Sequence, residues 1–238
     1  MLWIPLIALL ATIVKSATGF GLALVVVGFG ALAIGPEHAI PLAAVLDLVS
    51  GAVLMRQTRH DDRPAIWRPM AVSMGVGAVL GSVLFTLVDA DRLTTALGVT
   101  IVVSAVALFV VQHRFTSGPR RGLRPWVAVP VSALGGVLAG LVGPGGPPVI
   151  IAASTAYDKT AFRALLAPVF LVAGTVRTLA YVLLGAMTTT VVTAALLSLL
   201  ALPLGAFLGA RLHRVAPARV FDAAVVVLLV LAGLRLMV

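Results

Sequence analysis

Six predominantly apolar runs, residues 39–55, 69–88, 93–112, 164–184, 191–210 and 220–238, each have the length that one helical crossing of a bilayer requires, about 20 residues at about 1.5 Å apiece. Two further runs, 2–34 and 126–156, are too long for that. As straight helices of about 30 residues they would reach about 45–50 Å across a hydrocarbon core of about 30 Å. Each is interrupted near its middle, by Ser16-Ala17-Thr18-Gly19-Phe20-Gly21 in the first and Gly143-Pro144-Gly145-Gly146-Pro147-Pro148 in the second. Gly and Pro at this density do not continue a helix. With 61% of 238 residues apolar, 11% charged and a mean hydropathy of +1.16, a soluble fold is excluded and no length is left for an extramembrane domain. The expected class is an all-α polytopic membrane protein.

The breaks also mark an internal duplication. Gly19-Phe20-Gly21 aligns with Gly143-Pro144-Gly145 at an offset of 124, Val49–Val53 with Val172–Val176 at 123, and Gly77–Gly81 with Gly205–Gly209 at 128. Loop charge then separates two topologies. If both broken runs cross fully, there are eight spans, and the interhelical loops carry eight cations on one side against six on the other. If each is a re-entrant hairpin, the split becomes 13 to 1, with Arg92 alone opposite, which is the asymmetry that the positive-inside rule demands. The hairpin arrangement predicts two repeats: residues 1–113, with hairpin 2–34 and three spans, and residues 126–238, with hairpin 126–156 and three spans. A basic cytoplasmic linker, 114–125, joins them. Three crossings per half invert the second repeat and place both termini outside. The alternative is eight full spans with two broken helices.

The net charge of +9 sits mostly in short loops, so it reads as cytoplasmic loops facing anionic lipid, not as a nucleic-acid surface. Without cysteine there is no disulfide, thiolate metal site or cysteine nucleophile. His38, His60, His113 and His213 fall at or near segment ends, where none supplies a base deep in the membrane. No metal, cofactor or catalytic residue is expected. The apolar N-terminus has its first charge, Lys15, after the apolar stretch, the reverse of a secretory signal, and reads as mature protein.

Irregular backbone at membrane depth is tolerated only where protein or a watery cavity surrounds it. The two tips are therefore expected to face each other near the midplane. The half-helices after them, starting near Leu22 and Val149, would aim free N–H groups and partial positive charge at one spot, an anion site. Candidate ligand-binding residues are Gly19, Gly21, Gly143, Gly145 and Gly146, with hydroxyls from Ser16 and Thr18 and a cation from Lys15. Arg177, inside an apolar span, requires an anionic partner, which is either Asp47 or the transported anion. Asp47 is also a candidate proton-coupling carboxylate. Arg163, at the start of its helix, reads as an interfacial anchor or as the lining of a cytoplasmic vestibule. The GxxxG pairs Gly77/Gly81, Gly136/Gly140 and Gly205/Gly209 read as close helix packing.

The duplicated pattern of an apolar segment, a Gly-rich tip (GFG, then GPGGPP) and an Ala-rich helix (EHAIPLAAVLDLVSG, then KTAFRALLAPVFLVAGTVRTLAYVLLG) resembles the sulfite exporter TauE/SafE family over essentially the whole chain. In that family the tips read closer to GIGGG followed by proline; here the first tip lacks the third glycine. The resemblance implies a permease of the bacterial inner membrane for sulfite, sulfonates or related small sulfur oxyanions. It carries over to Gly19, Gly21, Gly143, Gly145 and Gly146, and to Arg177.

Overall fold

The computed structural model describes residues 3–18, 21–57, 63–112, 122–215 and 218–237. Among them the chain is helical with no strand. Ten helices follow in order: α1 (Trp3–Thr18), α2 (Leu22–Ile34), α3 (Pro36–Gln57), α4 (Trp67–Leu87), α5 (Ala90–Gln112), α6 (Pro125–Val142), α7 (Gly146–Ala156), α8 (Lys159–Leu183), α9 (Thr189–Val215) and α10 (Ala218–Met237). Five described stretches, in α4, α5, α6, α8 and α9, are long and apolar enough to cross a membrane. The protein is a polytopic helical membrane protein. The linker segment 113–121 and Gly19 of the first tip lie outside the described residues.

Both long apolar runs are broken, and both fold back on themselves. Gly143 ends α6 with φ +97°, and Gly21 precedes α2 with φ +93°, a left-handed region that favours glycine because a Cβ clashes there. Behind the second break α7 returns along α6, where a Cβ on Gly135 would stand 2.7 Å from Gly145 O. The far ends also meet: Leu123 N, just before α6, donates to Tyr157 Oη, just after α7, at 3.0 Å. In the first run, Ile4 and Ala8 of α1 share a small apolar crevice with Val26 and Ile34 of α2. A broken helix that crossed the membrane once would hold such ends far apart.

In lipid, helices gain little from hiding apolar surface, so small residues that let backbones approach decide the pairing. Gly77 and Gly81 of α4 lie against the carbonyls of Ala133 and Val137 on α6, while Gly136 and Gly140 of α6 lie against those of Met74 and Ala78 on α4. Gly205 and Gly209 of α9 face the carbonyls of Leu9 and Ile13 on α1. Gly51 of α3 meets Leu171 on α8, and Gly174 of α8 meets Leu48 on α3. Gly98 of α5 meets the carbonyl of Gly233 on α10. The opposite faces of α4 and α9 expose Val76, Leu80 and Leu84, and Leu196, Leu200 and Phe207, the surface offered to lipid.

Candidate functional site

The site begins with the way the tip of the second hairpin is closed. A helix leaves its last carbonyls without amide partners, and here residue 144, which would serve Gly140 O, is a proline with no N–H. Tyr181 of α8 supplies the missing donor, its hydroxyl lying 2.5 Å from Gly140 O. One turn earlier on α8, Arg177 Nη1 donates to Ala139 O and Gly143 O, both at 2.9 Å. A cation at the C-terminal end of α6 also opposes the negative pole of that helix. The two side chains hold the tip from one face.

The guanidinium then turns to α3. Arg177 Nη2 lies 2.9 Å from Asp47 Oδ2, and Arg177 is only 2% exposed. Lys15 of α1 approaches the other oxygen, with Nζ 3.9 Å from Asp47 Oδ1, and donates to Ser50 Oγ at 2.5 Å. Ser50 in turn donates to the carbonyl of Asp47 at 3.1 Å. Two cations meet one carboxylate, so the cluster carries a formal charge of +1. Arg177 has five N–H donors, of which these contacts use three. Its buried Nε finds no acceptor among the described residues, and Nη2 keeps a second N–H. Of the two partners open to Arg177, Asp47 is in place, and donors remain for a ligand.

The two half-helix N-termini are unequal. At α2 the first helical bond is Val25 N to Gly21 O, 3.1 Å, so the amides of Leu22, Ala23 and Leu24 have no acceptor among the described residues. At α7, which starts at Gly146 and not near Val149, Gly145 N is spent on Gly143 O at 3.0 Å, and Pro147 and Pro148 carry no N–H. Among the described residues Gly146 N has no acceptor in that turn. The two helix starts therefore offer different donor sets. The prolines were visible in the sequence, and their missing hydrogens were the signal.

One cavity collects these parts. Gly21 to Leu24 form one wall, Gly143 to Pro147 another, and Lys15, Asp47 and Arg177 lie on it together. About 80 Å³ is open to the centres of water-sized molecules, against the roughly 10–15 Å³ that one water requires, so several waters or one small polyatomic anion fit. The remaining lining is largely apolar and includes Met74, Ile150 and Phe170. Of the sequence candidates, Gly21, Gly143, Gly145, Gly146, Lys15, Asp47 and Arg177 converge here. Ser16 does not: its Cβ packs against Gly209 of α9. The side chain of Thr18 and all of Gly19 lie outside the described residues.

Several contributors were not candidates in the sequence. Ser50, three residues after Asp47, was legible as a neighbour of that carboxylate but not as an acceptor for Lys15, and Tyr181 acts through a hydrogen bond that no local pattern announces. Phe162 lines the cavity as well, beside Arg163, which the sequence offered as an anchor or a vestibule lining; the signal for this wall is that Arg163, Leu166, Phe170, Ala173 and Arg177 recur at helical spacing. Among the described residues no three His, Cys, Asp or Glu side chains converge as a metal site would need.

The family model described as Sulfite exporter TauE/SafE matches residues 4–236. Neither the curated proteins nor the solved structures give a match.

Proposed function

The chain belongs to the sulfite exporter TauE/SafE family, and from that membership we propose a secondary transporter that binds a small sulfur oxyanion, sulfite or a sulfonate, between its two hairpin tips and moves it by alternating access. The observation that carries this reading is the convergence of both tips, three intramembrane charges summing to +1, and the open amides of α2 on one cavity. An anion entering it neutralises the cluster and accepts from donors that the fold leaves unspent. Lys15, Arg177 and the Gly21 turn bind the ligand; Gly143, Gly145 and Gly146 let it approach the backbone. Asp47 orients both cations.

The two halves, 1–113 and 126–238, act as inverted repeats around this site. The packing supports that reading, because partners exchange consistently: α4 rests on α6 as α9 rests on α1, and α3 pairs with α8 as α5 pairs with α10. Each pair joins one half to the other, so rocking of the halves changes which side of the cavity opens. The membrane is the bacterial inner membrane, with both termini outside. The protein moves its ligand unchanged and catalyses no reaction.

Purified protein in proteoliposomes, preloaded with unlabelled sulfite and diluted into labelled sulfite, tests the proposal. A carrier gives a saturable transient overshoot of label. Linear, non-saturating flux would indicate a channel, and no flux with sulfite, thiosulfate or sulfoacetate would refute the transport reading.

A further inference from the structure

Arg163 is an exposed cation on the wall of a cavity whose other charges are buried (Arg177) or half-buried (Lys15, Asp47), and among the described residues no carboxylate pairs with it. It sits in the second turn of α8, on the face that also carries Leu166, Phe170, Ala173 and Arg177 to the same cavity. The spacing of three and four residues makes this a single stripe. Fourteen residues separate the two arginines, which is about 21 Å of rise along the helix. The stripe between them is apolar, so it offers an anion no intermediate ligand and no competing carboxylate.

Resting on the transport reading above, we propose that Arg163 forms an outer anion-capture subsite at the cavity mouth, distinct from the inner cluster of Lys15, Asp47 and Arg177. Its ligand class is that of the transported species, a small oxyanion arriving from water. A cation at the rim of a cleft with low-dielectric walls concentrates the anion there and raises its encounter rate. The apolar stripe then holds nothing back, and the anion passes to the inner donors. An interfacial anchor would contact lipid headgroups and would not line the cavity beside Phe162 and Leu166. In the hairpin topology the α8 N-terminus is cytoplasmic, so capture serves loading from inside and export.

The absence of native cysteine makes the test specific. Arg163→Cys is reconstituted and the concentration dependence of labelled sulfite transport is measured before and after treatment with methanethiosulfonate reagents bearing either a cation or an anion. KM is expected to rise about 3- to 10-fold with Vmax within about twofold, and the penalty should shrink at about 1 M inert salt, where screening acts over about 3 Å. The cationic reagent should restore KM and the anionic reagent should raise it further. Arg163→Lys should behave like the unaltered protein. An unchanged KM in Arg163→Cys, or equal effects of the two reagents, overturns the capture subsite while leaving the inner site standing. If the unaltered protein shows no saturable transport of sulfite or sulfoacetate, the transport reading falls and the subsite falls with it.

Discussion

Replacing Arg177 by Gln removes one ion pair and two charged hydrogen bonds at once, and the structure allows the loss to be apportioned. Ala139 O still accepts from Gly143 N, and Gly143 O from Gly145 N, so neither carbonyl is orphaned. What is stranded is Asp47, whose side chain is 23% exposed. Breaking a buried pair from one side costs about 3–5 kcal/mol, because the remaining charge has lost its compensation. Lys15, 3.9 Å from the other carboxylate oxygen, offsets part of that, so the lower end of the range, about 3 kcal/mol, is expected. Asp47→Asn leaves Arg177 on its two carbonyls and should cost less, about 1.5–3 kcal/mol, the scale of a charged hydrogen bond. The double variant Arg177→Gln/Asp47→Asn removes both members of the pair, leaving Lys15 with Ser50 alone, and should recover a coupling energy of about 1.5–3 kcal/mol. Unfolding in detergent, followed for all four proteins, measures the cycle, and sulfite counterflow is recorded in parallel. The double variant should be stable but inactive. Costs that add within about 0.5 kcal/mol would refute the pairing, and recovered transport would refute the assignment of Arg177 to the ligand site.

Three further outcomes follow from named contacts. Gly21→Ala forces a side chain into φ +93° and toward Val14, so it should cost about 1–2 kcal/mol and weaken anion binding by distorting the entry to α2, measured as a lost thermal shift with sulfite. Tyr181→Phe leaves Gly140 O without a donor, because residue 144 is proline; unfolding should become easier by about 1–3 kcal/mol, and a change under about 0.5 kcal/mol would show that the hydroxyl is dispensable. For topology, Ser117→Cys and His213→Cys should both resist an impermeant thiol reagent in intact cells, whereas labelling of His213→Cys alone would restore the eight-span arrangement.

Much of the architecture is decided by hydropathy alone. Apolar runs of spanning length must become helices in lipid, since the backbone has no water to satisfy it, and Gly-Pro clusters must interrupt them. The polytopic class, the two breaks and the buried need of Arg177 for a partner were therefore legible in the order of residues. Tertiary structure decided which partner answered that need: Asp47 lies 130 positions away, and only the approach of α3 to α8 through Gly51 and Gly174 brings the charges to 2.9 Å. It decided equally that Ser16 packs on α9 and that Tyr181 closes the end of α6. Periodicity reports which face of a helix is apolar. It does not report which neighbour meets that face or how two helices are rotated against each other, and polar contacts a few ångströms long depend on both.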